Sequence, residues 1–159
     1  PAETETAPLE SMLEQVDCDV VILGSPPGWE LANAQRILVP VRGGGAHNQL
    51  RAKLLASIRR SVNATITFVR IIPTDTSESA ESAIRRDLRY TADLETHHNA
   101  EIELIRSNEF ANALTERAKN ADLLVLGMQR VGKRKIVGRL AWHVAAESGA
   151  ATLIISRGD

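Results

Sequence analysis

A chain of 159 residues, 43% hydrophobic and 25% charged, is the size of one domain and can bury enough surface to fold without a disulfide or a metal. Its formal net charge of −1 and 3% aromatic content argue against a nucleic-acid platform and against attraction to an anionic membrane surface. One cysteine, Cys18, excludes an internal disulfide, and no apolar run reaches the roughly 18 residues of a membrane span or has the form of a signal peptide, so the expected setting is cytoplasmic.

Pro1–Pro8 is acidic and Thr-rich and predicts no regular structure, Leu9–Val16 predicts a short helix, and Val20–Leu23 a strand. Ser25-Pro26-Pro27-Gly28 then breaks regular structure and reads as a linker. The stretch Asp17-Cys18-Asp19-Val20-Val21-Ile22-Leu23-Gly24 echoes Asn120-Ala121-Asp122-Leu123-Leu124-Val125-Leu126-Gly127. Two readings follow: residues 1–28 are the trailing part of a preceding repeat, or they form one extra edge strand whose similarity is coincidental. Position 1 is Pro rather than an initiator Met, so the chain is expected to be a piece of something longer. The boundary is drawn with 1–34 as trailing strand and linker and 35–159 as the domain.

From there, short and nearly continuous apolar runs predict buried parallel strands at Ile37–Val41, Thr65–Ile72, Ile102–Ile105, Leu123–Leu126 and Thr152–Ile155. Helical stripes fall between them. The first is Leu50, Leu54, Leu55, Ile58 and Val62, the second Ile84, Leu88, Thr91 and Leu94. The third is Phe110, Ala113, Leu114 and Ala118, capped by Ser107 or Asn108, and the fourth Val137, Leu140, Ala141 and Val144. Strict strand–helix alternation predicts a doubly wound α/β fold with right-handed crossovers.

Three stretches carry a family resemblance. They are Arg36-Ile37-Leu38-Val39-Pro40-Val41-Arg42-Gly43-Gly44, Ala121-Asp122-Leu123-Leu124-Val125-Leu126-Gly127, and Val137-Gly138-Arg139-Leu140-Ala141-Trp142-His143-Val144 followed by Ala151-Thr152-Leu153-Ile154-Ile155. In this order and spacing, over Gln35–Ser156, the chain resembles a universal stress protein (Usp) domain. The resemblance implies a Rossmann-like, doubly wound, parallel five-stranded sheet of order 3-2-1-4-5. It also implies a ligand crevice at the switch point, beyond Val41–Gly45 and Gly127–Gly138.

The motif departs from the ATP-binding members, which carry Gly-x2-Gly-x9-Gly-(Ser/Thr) after the fourth strand. Here Arg130 replaces the second glycine, Gly132 stands at a different spacing, the span to Gly138 is shorter, and Arg139 stands where a small hydroxyl belongs. At the end of the first strand Arg42, before Gly43, replaces the family's acidic residue. Arg42, Gly43, Gly127, Arg130, Gly132, Gly138 and Arg139 are therefore the candidate nucleotide or anion site, with ATP not expected in the usual mode. Arg130, Lys133, Arg134, Lys135 and Arg139 read either as a solvated loop or as a site for an anion or acidic partner.

Elsewhere, His97-His98 reads as a surface pair without spaced metal partners, Cys18 as a core residue, and Gly132-Lys133 as no P-loop because Arg134 follows. No catalytic constellation or general base emerges, so no enzyme is expected. The expected function is a non-catalytic regulatory or interaction module, resembling the tandem Usp-like tails of cation-chloride cotransporters and amino-acid permeases. Its partners would be a membrane transport domain and a second copy, paired through Ala151–Ser156 as an apolar sheet edge. The alternative is a free-standing universal stress protein that binds ATP or another adenine nucleotide.

Overall fold

The computed structural model describes residues 11–12, 15–42, 48–127, 129–131, 134–136 and 139–156, without the side chains of 129–131, 134–136, 139 and 140. In chain order the elements are β1 (Val20–Gly24), β2 (Arg36–Pro40), α1 (Gln49–Ser61), β3 (Thr65–Ile72), α2 (Glu78–Thr96), β4 (Ala100–Arg106), α3 (Phe110–Ala118), β5 (Leu123–Gly127), β6 (Gln129–Val131), β7 (Arg134–Ile136), α4 (Arg139–Ser148) and β8 (Ala151–Ser156).

Six strands form one sheet in the order β1-β8-β5-β2-β3-β4, and β6 and β7 form a separate hairpin. Counted from Ile37, the strands β2, β3, β4, β5 and β8 realise the predicted order 3-2-1-4-5, and every neighbouring pair among them is parallel. A parallel sheet must be covered on both faces, which is why its strands lack alternation: Leu123–Leu126 and all of Ala151–Ser156 are buried. One face packs Ile37, Val39, Phe68 and Leu153 against Leu55 and Ile58 of α1 and Leu88 and Ala92 of α2. The other packs Leu38, Val69 and Leu124 against Leu114 and Ala118 of α3 and Val144 of α4. Each fully buried Phe, Leu or Ile contributes about 1.5–3 kcal/mol relative to exposure.

β1 lies outside the parallel order and runs antiparallel along β8, from Val20 opposite Ser156 to Gly24 opposite Thr152. This corrects one premise. Ala151–Ser156 is not a sheet edge, because β1 already uses it, so an open last strand is not there to pair with a second copy. The reversal is made by the linker, where Trp29 N–H donates to the Pro26 carbonyl at 3.1 Å and Gly28 takes φ +78°, a backbone that favours glycine. Trp29 then packs on the first core cluster.

Other expectations also change. Cys18 is exposed rather than buried, since it precedes the outermost strand. On α2, Leu94 faces solvent and Glu95 takes the buried position. Neither Ser107 nor Asn108 caps α3. The Ser107 hydroxyl accepts from the Glu109 N–H at 3.0 Å, and Asn108 ties to Thr74 across the neighbouring loop. The remaining caps follow composition: Asn48 accepts from Arg51 N–H to open α1, and Ser77 accepts from Ala80 N–H to open α2. Asp122 closes the base of the sheet. Its carboxylate accepts from Arg36 N–H at 2.8 Å and from the Arg36 guanidinium at 3.2 Å, while Asp122 N–H donates to the Arg36 carbonyl.

Candidate functional site

The crevice is built by divergence of β2 and β5. Their ladder holds only at Ile37–Leu123 and Leu38–Leu124, although β2 runs on to Pro40 and β5 to Gly127. Beyond that point each strand is held by its other neighbour, Pro40 by Val69 and Gly127 by Ile155. The connection after β2 leads to β3 on one side and that after β5 to β8 on the other, so the mouth lies at the topological switch point.

Arg42 stands at this mouth. Val41 is buried, its N–H donating to the Val69 carbonyl at 2.9 Å, and Arg42 emerges into solvent directly after it. Its guanidinium carbon lies 4.5 Å from the ring centre of Phe110, the first residue of α3. At an exposed site such a cation–aromatic contact contributes about 0.5–1 kcal/mol. A cation held by an aromatic face takes the position where the family resemblance places an acid.

Gly127 ends β5 and has open space around it: a Cβ added there would meet no atom within 4 Å, and its φ is not positive. After it the chain forms a hairpin rather than an open glycine-rich loop. β6 and β7 pair antiparallel with Arg130 opposite Lys135 and Val131 opposite Arg134. Arg139 is the first residue of α4. Gly43, Gly132, Lys133 and Gly138 lie outside the described residues, as do Gly44, Gly45 and His47. The fold thus puts Arg42 just past the carboxyl end of β2 and Gly127 at that of β5, on either side of the switch point, and carries Arg130, Arg134, Lys135 and Arg139 on the segment that follows Gly127.

Sequence reasoning missed the pair that braces this end of the molecule. Arg51, in the first turn of α1, donates through Nε to Glu95 Oε1 at 2.5 Å and through a terminal nitrogen to Oε2 at 2.6 Å. Both residues are buried, and Arg51 also lies 5.5 Å from the Phe68 ring centre. Asn48 N–H donates to the same carboxylate at 3.4 Å, so α2 holds the N-terminus of α1. The signal was present: Leu88, Thr91 and Glu95 continue one helical stripe, and Glu95 falls where an apolar residue was expected.

Other titratable groups are structural. Burial pushes the Asp122 carboxyl up, but the Arg36 side-chain and backbone hydrogen bonds and the Arg36 charge outweigh it, leaving the carboxyl below its ordinary value. Glu81 is also held low, first by its hydrogen bond from Arg106. His97 and His98 are exposed with φ of 51° and 63° at the end of α2, and His98 Nδ1 lies 3.2 Å from Asp93. Among the described residues no group of three His, Cys, Asp or Glu is placed to hold a metal, and no helix is long and apolar enough to cross a membrane.

No protein-family model matches the chain, and no curated protein matches it. Solved structures do. A universal stress protein from Archaeoglobus fulgidus superposes with a TM-score of 0.60 at 19% identity, over 77% of this chain and 93% of that one. The chain has the universal stress protein fold. A second Usp structure, described as a complex with cAMP, gives a TM-score of 0.55 at 23% identity over 79% of this chain and 98% of its own. The cytoplasmic domain of a prokaryotic cation chloride cotransporter gives a TM-score of 0.67 at 17% identity and covers 98% of this chain. This chain spans only 58% of that cotransporter domain. The single Usp proteins leave about a fifth of the present chain unmatched, whereas the cotransporter domain leaves almost none.

Proposed function

We propose that this Usp-fold chain is a non-catalytic regulatory or interaction module on the cytosolic side of a membrane transport protein, and that its switch point does not hold ATP in the manner of nucleotide-binding Usp domains. The observation that carries the reading is Arg42 stacked on Phe110 at the lip of the crevice. Neutral or acidic groups that hold a nucleoside cannot be replaced by a guanidinium without losing its hydrogen-bond pattern, at about 1–3 kcal/mol per unsatisfied group. The β6–β7 hairpin adds to this. Where an open loop would turn its N–H groups towards a phosphate, paired strands commit part of theirs to each other. The likeness to the cotransporter cytoplasmic domain over nearly the whole chain supports the transporter setting. Basic residues on the segment after Gly127 suit an acidic partner or a simple anion, attracted over a Debye length of about 8–10 Å.

Calorimetric titration with ATP, GTP and tripolyphosphate at low and high salt tests the reading. The expected result is weak binding, with a dissociation constant no tighter than roughly 100 μM, sensitive to salt and indifferent to the base. Tight, salt-resistant binding of ATP alone would overturn it. That outcome would favour the second reading, an adenine-nucleotide-binding stress protein, which the neighbour described as a cAMP complex supports. Membrane-spanning segments in the same reading frame test the transporter setting separately.

A further inference from the structure

Gly24 ends β1 directly opposite Thr152 of β8, and Ile22 stands opposite Ile154. Leu153 and Ile155 belong to the core on the α1–α2 side, so by alternation Thr152 and Ile154 lie on the α4 side, and their partners Ile22 and Gly24 share that face. Bulk is missing there. Gly24 adds no side chain opposite Thr152, a Cβ built on it meets no atom within 4 Å, and α4 contributes Ala145 and Ala146 beside Trp142. What remains is a cavity of about 410 Å³, closed at one end by Pro26 of the linker and Gly149 after α4. Small-molecule pockets span about 300–1,000 Å³. The cavity is on the β1–β8 side of the sheet, and neither Arg42 nor Gly127 lines it.

Two buried polar atoms lack a partner, and both belong to residues of this cavity. Among the described residues, Trp142 Nε1 and Thr152 Oγ1 are the only buried side-chain nitrogen or oxygen atoms without a hydrogen bond, and Thr152 is 2% exposed. Folded proteins leave few such atoms unpaired, so two at one apolar cavity point to a missing partner. The chemistry of the pair restricts that partner. An indole N–H only donates, and a threonine hydroxyl donates or accepts, so an acceptor oxygen suits both. No Asp, Glu, Lys, Arg or His lines the cavity among the described residues, so a charged ligand would enter without a counter-charge. Water is a poor occupant, since each molecule needs two to four polar partners and Ser25 supplies the only other side-chain hydroxyl of the lining.

We infer that the cavity between α4 and the β1–β8 pair is a binding site for a neutral, mainly apolar small molecule that carries one carbonyl or hydroxyl oxygen. The oxygen accepts from Trp142 Nε1 and Thr152 Oγ1. The carbon body fills the space over Gly24, against Ile22, Ile154 and the two alanines of α4. Shape and burial supply the affinity, and the two hydrogen bonds supply the selection: a hydrocarbon of the same outline leaves both donors unpaired, and an ion of the same outline loses its hydration for nothing. The site is separate from the switch point and does not depend on whether nucleotide binds there.

The test uses three probes of one outline: acetophenone, which offers a carbonyl oxygen, ethylbenzene, which offers none, and benzoate, which is charged. The chain has two tryptophans, Trp29 and Trp142, so its proton–nitrogen NMR spectrum holds two indole signals, and Trp142→Phe assigns them. Acetophenone is expected to move the Trp142 indole proton downfield and leave that of Trp29 in place, with a dissociation constant of roughly 100 μM. Ethylbenzene should bind at least about 5-fold more weakly and benzoate should not bind. Thr152→Val keeps the shape and removes the hydroxyl. It breaks no hydrogen bond of the free protein, so the melting temperature should hold or rise, yet acetophenone should bind about 3–10-fold more weakly. Gly24→Ile should fill the cavity and abolish binding of both neutral probes. A Trp142 signal unmoved by acetophenone, equal affinity for acetophenone and ethylbenzene, or unchanged acetophenone affinity in Thr152→Val would each overturn the inference, and the probe series decides it even if Gly24→Ile does not fold. Calorimetry with ATP reads a different site, so the two proposals fail separately.

Discussion

Replacing Glu95 by Gln should be among the most damaging single-atom changes available in this molecule. The carboxylate accepts two guanidinium hydrogen bonds from Arg51, at 2.5 and 2.6 Å, and a weaker one from Asn48 N–H. A carboxamide keeps one oxygen acceptor but presents an NH2 group to the second guanidinium nitrogen, setting donor against donor. It also leaves Arg51, itself buried, as an uncompensated charge beside Phe68. Breaking a buried ion pair from one side costs about 3–5 kcal/mol. For a domain of this length each kcal/mol moves the melting temperature by about 2–4 °C, so a fall of roughly 6–20 °C is expected. The assay is urea and thermal unfolding followed by circular dichroism, with Arg51→Met/Glu95→Leu alongside. The double variant removes both charges together and should recover most of the loss, because an apolar replacement of a buried pair is often neutral or stabilising. A Glu95→Gln loss below about 1 kcal/mol, the range of exposed pairs, would refute the reasoning, as would a double variant worse than the single one.

Asp122→Asn tests the clamp at the base of the sheet. Because the folded carboxyl lies below its ordinary value, its contribution is present above the unfolded pKa, about 3.9, and is lost as pH falls through the folded one. The variant should therefore show a flatter decline in urea midpoint below about pH 4, by less than about 1 kcal/mol given the exposure of Arg36; identical declines would refute it. Cys18 should react with a thiol reagent in the native protein as fast as in urea, within a few-fold, and protection of more than about 100-fold would contradict its exposure. Phe110→Leu should preserve the packing of α3 while removing the stack on Arg42, at about 0.5–1 kcal/mol; the same loss in an Arg42→Ala background would show that the ring and the cation do not interact.

The sheet was legible because its physics is written locally. Ile37–Val41, Thr65–Ile72 and Leu123–Leu126 are mostly β-branched residues and leucine, broken only by Pro40, Phe68 and Arg70, and near-continuous runs of this kind mark strands covered on both faces. The direction of β1 was not legible. Asp19-Val20-Val21-Ile22-Leu23-Gly24 has the same apolar character as β5, and whether such a strand joins parallel or antiparallel depends on which edge is free, a tertiary property. The β6–β7 hairpin was hidden because three-residue strands rich in charge show no period to read. At the candidate site, Arg42 stands out in the sequence by its charge, but its partner Phe110 lies 68 positions away and is brought there by the β4–α3 connection. Glu95 was passed over in favour of Leu94 because hydrophobicity outranked position on the helix, although the stripe through Leu88 and Thr91 pointed at residue 95.

The antiparallel β1–β8 pair also fixes how the domain answers a pull. Val20, where the chain enters the sheet, is the direct partner of Ser156, where it leaves, so their Cα atoms lie within about 5.5 Å. Polypeptide attached before the one and after the other departs from a common point. Tension between those two attachments therefore loads the Val20–Ser156 pair first and then each neighbour in turn. It opens the strands like a zip rather than shearing the whole ladder at once. β1 would peel away along its length while the five parallel strands stay closed, and the slack released would be the linker that holds Gly28 and Trp29.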